Sequence, residues 1–289
     1  MIKMVVTDMD GTLLGDRSEI SDKNLQAIRL LEKNHIEFAI ASGRGYDGAH
    51  AILDQYDVQC EAILGNGAQY CDQNGHVLMN CYLDKKMVSD IVSIFEKAHL
   101  PYIIFTTQGF YTGQDSKWVR NMFVERCVRK FQNHYEEYEP DGKFADVPCN
   151  HLCHYDNLED FLALDLEIIK IEVFSLHIDD IVKVKESLKT VSHISYLSSF
   201  EDNVEVTDIH AQKGIILEKI IALKGYHKDE IVVLGDGMND ITMFERFPYS
   251  FAPTNAVQEI QNLAYCIVNS CEKDGFAQAV EIALKDLGN

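Results

Sequence analysis

Nowhere in the 289 residues does an apolar run approach the ~18 residues of a membrane-spanning helix. The N-terminus also lacks the basic region, apolar stretch and small-residue cleavage site of a secretory leader. No membrane association is therefore expected, and the expected compartment is the cytoplasm. Positive charge is scarce: 26 Lys and Arg stand against 46 Asp and Glu, a formal net charge of -20. Such a surface repels phosphate backbones and anionic membranes, which argues against nucleic acid as a partner. An anionic substrate would have to find its cations within the site itself. Internal repeats and low-complexity tracts are absent. The eight cysteines have no secretory context that would oxidise them, so reduced thiols are expected. Their tightest group, Cys149-Asn150-His151-Leu152-Cys153-His154, has no second Cys or His pair at a zinc-finger interval and reads as ordinary structural residues.

What is present suffices for real cores: 46% of residues are hydrophobic and 25% charged. The length fits two domains, or one with a large insertion, and leaves the oligomeric state open. The apolar run Met4 to Val6 leads into Thr7-Asp8-Met9-Asp10-Gly11-Thr12. A buried parallel strand would deliver these carboxylates to its carboxyl end, where open α/β sheets place their ligands. With Asp8 the last strand residue and Asp10 in the turn, alternation puts both side chains on roughly one side, close enough to share a divalent cation.

Ser21 reads as the N-cap of a helix ending near His35, and Ile36 to Ala41 as a second strand, completing a right-handed βαβ unit. Ser42-Gly43-Arg44 follows, before a helix over Tyr46 to Gln55. A hydroxyl and a glycine there suit either a phosphate cradle or a helix cap, and Arg44 suits either an ion pair or a site role. A third strand, Ala62 to Leu64, precedes Gly65-Asn66-Gly67 and a hairpin turning on Asp72-Gln73-Asn74-Gly75. From about Tyr82 to Thr207 the pattern changes to helices at Leu83 to His99 and Ile178 to Val191. Strands are expected there at Tyr102 to Thr107, Phe110 to Thr112, Ile168 to Leu176, Ile194 to Leu197 and Val204 to Thr207. This predicts an inserted α+β domain over 82–207, between core segments 1–81 and 208–289. The aromatic-rich stretch Gly113 to His154 (Trp118, Phe123, Phe131, Tyr135, Tyr138) resists assignment, and its aromatics read as core. Beyond Asp208 the α/β pattern resumes with a helix over Lys213 to Lys224 closed by Gly225. The strand Ile231 to Leu234 ends in Gly235-Asp236-Gly237-Met238-Asn239-Asp240. Strands at Phe251-Ala252 and Cys266 to Val268, and helices at Ala256 to Ala264 and Gly275 to Leu287, complete the chain. The fold class is α/β, a Rossmann-like doubly wound parallel-sheet core with an inserted α+β domain.

Carboxylates from two strand ends (Asp8, Asp10; Asp236, Asp240), a hydroxyl (Ser42), a lysine at a helix start (Lys213) and Asn239 form the set that phosphoryl transfer assisted by Mg2+ requires. Hard oxygen ligands suit the cation, and lysine and N–H groups neutralise the phosphoryl oxygens. In order and composition, Asp-Met-Asp-Gly-Thr, Ala-Ser-Gly-Arg, Lys-Gly and Gly-Asp-Gly-Met-Asn-Asp resemble the motifs of the haloacid dehalogenase superfamily, most of all its Cof-type phosphatases. Asn66-Gly67-Ala68, Asn255-Ala256 and Asp274-Gly275 are similar to further landmarks of that subfamily.

The resemblance implies a Mg2+-dependent phosphatase of small phosphorylated metabolites, such as sugar phosphates or cofactor phosphates like pyridoxal phosphate or FMN. Asp8 would be the nucleophile, carrying an aspartyl-phosphate, and Asp10 the general acid and base. Mg2+ would be bound by Asp8, Asp236 and the Asp10 carbonyl, with Asp240 in an outer, orienting position. Ser42, Gly43, Lys213, Asn239 and the Met9 backbone would hold the phosphoryl group, and 82–207 would be the large cap that reads the leaving group. A phosphomutase of similar architecture and a catalytically silent regulatory protein are the alternatives. Pro253, in Phe251-Ala252-Pro253-Thr254-Asn255-Ala256, departs from the subfamily pattern and bears on loop geometry only.

Overall fold

Runs of Val, Ile and Leu without polar alternation make strands that must be covered on both faces. In the computed structural model, which describes residues 1–15, 18–132, 134–142, 144 and 147–287 except the Phe131 side chain, they form the centre of a parallel sheet. The chain divides into two units, Met1–Asn80 with Ala211–Asn289, and Cys81–His210.

The first unit runs β1 (Met4–Thr7), α1 (Asp22–Lys33), β2 (Glu37–Ala41), α2 (Tyr46–Leu53), β3 (Glu61–Leu64), β4 (Gln69–Cys71) and β5 (Val77–Asn80). The second contributes α3 (Lys85–Lys97), β6 (Tyr102–Thr106), β7 (Gly109–Thr112), α4 (Ser116–Phe131), β8 (Leu152–His154), α5 (Leu158–Leu162), β9 (Ile168–Phe174), α6 (Ile178–Leu188), β10 (Ile194–Leu197) and β11 (Asn203–Asp208). The first unit then resumes with α7 (Lys213–Lys224), β12 (Ile231–Leu234), α8 (Ile241–Arg246), β13 (Tyr249–Pro253), α9 (Gln258–Leu263), β14 (Cys266–Val268) and α10 (Gly275–Asp286).

The first sheet has the order β14-β13-β12-β1-β2-β3-β4-β5, parallel from β14 to β3, with the β4–β5 hairpin antiparallel at one edge. β1 sits in the middle, with Val5 beside Val232 on one flank and Phe38 on the other. From β1 the chain steps outward through β2 and β3. After the second unit it steps the opposite way through β12, β13 and β14. The reversal falls between β1 and β12, and open α/β sheets bind ligands outside the strand ends at such a point. One face packs Val5, Phe38, Ile40, Val232 and Leu234 against α1, α2 and α10. α7 lies against β3 on the other side, with α8 packed on it. Ser21 caps α1 as expected, its side chain accepting from the Asn24 N–H.

The second unit has its own sheet, β10-β11-β9-β6-β7-β8, antiparallel except for β7 beside β8. One face carries an apolar core in which Val88, Ile91 and Phe95 of α3 and Ile181 and Val184 of α6 meet Tyr102, Ile171 and Val204. The opposite face is mixed: Ile103, Phe105 and Phe174 pack with Val119, Val124 and Cys127 of α4, while charged side chains form buried pairs beside them. Lys170 meets Glu205 at 2.7 Å, and Arg126 of α4 meets Glu172 at 3.4 Å and Asp202 at 2.7 Å. Here lies the helix that sequence pattern did not reveal. α4 turns a cation toward buried acids, so its inward face is not an apolar stripe. α5 and β8 also fell in or beside stretches without a clear pattern. Phe123 and Tyr138 pack in or on this core, whereas Trp118 and Tyr135 are exposed. The expected helix from Ala256 begins only at Gln258, because Val257 is extended and its N–H donates to the Asp236 carbonyl at 2.9 Å. Among the described residues no helix is long and apolar enough to cross a membrane, and none of the eight cysteines is in a disulfide.

α7 approaches α8 so closely that a Cβ on Gly214 would lie 2.1 Å from the Thr242 carbonyl oxygen and 2.6 Å from the Met243 nitrogen, while the Gly214 N–H donates to Thr242 Oγ1 at 3.0 Å. Alanine raises helix propensity by about 1 kcal/mol over glycine. A clash with backbone on the far side should exceed that gain and the ~1–3 kcal/mol of ordinary overpacking. Gly214→Ala is therefore expected to lower the melting temperature by about 4 °C or more; an unchanged or raised value in thermal unfolding would show that α7 can move away.

Candidate active site

Asp8 is the first residue beyond β1, and its N–H still donates across to the Leu234 carbonyl at 2.9 Å, keeping the ends of β1 and β12 in step. The chain then turns back on itself: the Met9 carbonyl accepts from Leu13 and Leu14 at 3.0 and 2.8 Å, while the Met9 side chain is buried in the core. The turn also brings Thr12 to Asp236, whose Oδ1 accepts from Thr12 Oγ1 at 2.7 Å. Asn255 braces it from outside, donating to the Gly11 carbonyl at 2.8 Å and accepting from the Cys271 N–H at 3.0 Å. Thr12 received no role from sequence, although it stands in the Asp-Gly-Thr motif.

At the other strand end, Asp240 folds back over its own turn. Its Oδ2 accepts from the N–H groups of Asp236 (2.9 Å) and Gly237 (3.0 Å). Lys213, the first residue of α7 and wholly buried, places Nζ 2.6 Å from Asp8 Oδ1 and 2.6 Å from Asp240 Oδ1. Asp8, Asp236 and Asp240 each offer a carboxylate oxygen within 4.8 Å of the others, and among the described residues they are the one group of acidic, His or Cys side chains placed to hold a metal ion. The Cys149 to His154 cluster makes no such group.

Asp10 differs from the expectation that it and Asp8 turn their carboxylates to one shared cation. Both of its oxygens accept from Arg44, from Nε and Nη2, at 2.7 Å each. The bidentate match of guanidinium and carboxylate outweighs strand alternation once Asp10 lies in the turn. This pair also assigns Arg44 a partner in the site. Ser42 is buried, and its Oγ accepts from the Arg44 N–H at 3.2 Å; the N-cap of α2 is Gly45, so Ser42 does not cap that helix. Gly43 lies between these two residues. Asn239 is buried and donates from Nδ2 to Asn66 Oδ1 at 3.2 Å.

The chain matches the model of the haloacid dehalogenase-like hydrolases over residues 5–280. It belongs to this family. Two relatives from Bacillus subtilis (strain 168) are similar end to end. Phosphatase YwpJ is 23% identical over 97% of this chain and 99% of its own, and 5-amino-6-(5-phospho-D-ribitylamino)uracil phosphatase YwtE is 24% identical over 97% of each. In fold it is similar to a solved haloacid dehalogenase-like hydrolase from B. subtilis, with a TM-score of 0.83 and 23% identity over 97% of this chain and 99% of that one.

In this hydrolase the carboxylates crowd one another. Burial, together with Asp240, Asp236 and Asp10, pushes the Asp8 carboxyl well above the usual range in spite of Lys213. Burial and Asp240 raise Asp236 to about 7. Burial draws the Lys213 ammonium down, but Asp240 and Asp8 more than reverse this and leave it raised. With all groups ionised, Asp8, Asp10, Asp236 and Asp240 carry four negative charges, and the cations bonded to them among the described residues, Lys213 and Arg44, leave a surplus of two. An all-oxygen donor set with that surplus fits a hard divalent cation.

Without such a cation, the folded chain keeps on the raised Asp236, between about pH 4 and pH 7, a proton that a free carboxyl has lost. Its stability should therefore fall as pH rises through that window. Asp236→Asn removes one crowded charge and keeps the acceptor for Thr12. In chelator at pH 8 its melting temperature should stand about 2–4 °C above the parent's, the gap closing toward pH 4. A lower value at pH 8 would contradict the crowding.

Proposed function

We propose that the protein is a Mg2+-dependent phosphatase that hydrolyses small phosphorylated metabolites, sugar phosphates or cofactor phosphates, through an aspartyl-phosphate on Asp8. The observation that carries this reading is the meeting of Asp8, Asp236 and Asp240 around Lys213 at the point where the strand order reverses. Family membership and the phosphatase names of its relatives support it.

Asp8 and Asp236 would hold Mg2+ by their side chains and Asp10 by its carbonyl. Asp240, whose oxygens are engaged by Lys213 and two backbone N–H groups, would orient the others. When bound, Mg2+ supplies charge neutralisation that lets an anionic carboxylate approach an anionic phosphoryl group. Lys213, the Ser42 hydroxyl, the Asn239 amide and the backbone of Met9 and Gly43 donate to the phosphoryl oxygens. An Asp8 oxygen attacks phosphorus as the bond to the leaving oxygen breaks, and Asp10 gives that oxygen its proton. Asp10 then takes a proton from water, whose oxygen attacks phosphorus and releases Asp8. Because both Asp10 oxygens rest on Arg44, this cycle requires the carboxyl to leave the guanidinium when substrate arrives. The unit Cys81–His210, set in the chain between the Ser42 and Lys213 motifs, would serve as the cap that selects the leaving group. Eight cysteines without a disulfide suit the reducing cytoplasm.

Asp8→Asn should reduce phosphate release from 4-nitrophenyl phosphate by at least about 10^3-fold, as loss of a nucleophile does, with the fold intact by circular dichroism. Chelation should stop the parent enzyme and Mg2+ restore it. Undiminished release by Asp8→Asn would sink the aspartyl-phosphate. Turnover that needs a bisphosphate activator and frees little phosphate would point instead to a mutase.

A further inference from the structure

Three groups assigned to the phosphoryl site converge on a turn outside the carboxylate cluster. Gly65-Asn66-Gly67 follows β3, and Asn66, 3% exposed, adopts φ 58° and ψ 23°, a left-handed conformation that asparagine tolerates better than most side chains. Its N–H donates to the Ser42 carbonyl at 3.0 Å, and the Gly65 N–H to the Arg44 carbonyl at 2.9 Å. Its Oδ1 accepts from Asn239 Nδ2 at 3.2 Å. Gly67 brings the same turn against the start of α7: at φ +107°, a Cβ there would lie 2.8 Å from the backbone of Gln212, the residue before Lys213. One turn thus touches the loop of Ser42, the helix start of Lys213 and the side chain of Asn239.

An amide can present either its oxygen or its NH2 group to an anion, and only the second attracts it. With Asn66 Oδ1 as acceptor, one N–H of the Asn239 NH2 group is bonded to Asn66 and the other is left to donate. A flipped Asn239 would set two buried carbonyl oxygens against each other, a loss that burial makes costly. We infer that Asn66 is a positioning residue of the phosphoryl site, holding the Asn239 amide in its donating orientation and the Ser42 loop at its level. This rests on the reading above in which Asn239 and Ser42 bind the phosphoryl group.

The test uses inorganic phosphate as a competitive inhibitor of 4-nitrophenyl phosphate hydrolysis by the full chain. Asn66→Gly keeps the left-handed backbone and removes the acceptor; Asn66→Ser removes the same acceptor with a different backbone preference. Both should weaken phosphate inhibition about five- to tenfold, the scale of one hydrogen bond, with thermal unfolding reporting any loss of fold. In an Asn239→Ala background, Asn66→Gly should add less than about twofold, since the residue acts through Asn239. Parent-like inhibition in both variants, or full additivity with Asn239→Ala, would overturn the inference. If Asp8→Asn is inactive yet Asn239→Ala leaves phosphate inhibition unchanged, this inference alone fails. If Asp8→Asn turns over like the parent, the phosphatase reading fails with it.

Discussion

A buried ammonium bonded to two carboxylates holds the site together. Removing Lys213 from water costs several kcal/mol unless its charge is matched at close range, and the contacts to Asp8 and Asp240 at 2.6 Å supply that match. The pair links the end of β1, the turn after β12 and the start of α7 through one atom. Each of these elements is held in turn by backbone: Asp8 to Leu234, Asp240 to the N–H groups of Asp236 and Gly237, and α7 to Thr242 through Gly214. A solvated lysine at a helix start would do none of this.

The four carboxylates differ in partners rather than in kind. Asp240 has a cation and two backbone donors and stays fixed. Asp236 has a hydroxyl from Thr12 and the raised proton affinity of a crowded acid. Asp8 shares Lys213 and is buried. Asp10, half-exposed on the turn, is the one clasped by Arg44. Neighbouring groups of identical chemistry are thereby made unlike, since partner and burial decide which oxygen is engaged and which proton is held.

The second unit applies the same economy to a sheet face. Lys170, Glu172 and Glu205 are buried beside Phe105 and Phe174, satisfied by one another, by Arg126 and by Asn203. Removing one partner from a buried pair leaves the other charge less well matched, so such a layer ties α4 to the sheet specifically rather than strongly.

Short-range physics determined much of this from sequence alone. β12, α7 and β14 begin and end where their apolar runs do, Ser21 caps α1, and Gly225 ends α7 with a positive φ, because hydrophobic period, capping side chains and glycine act within a few residues. The residue types of the site were likewise legible, since carboxylates beside glycines at strand ends stand out locally. Tertiary structure alone decided that Arg44 takes Asp10, that Thr12 and Asn66 serve residues more than 170 positions away, and that α4 is a helix at all. Those outcomes depend on which charges and amides meet after the strands are ordered, and a pairing energy between distant side chains leaves no periodic trace along the chain.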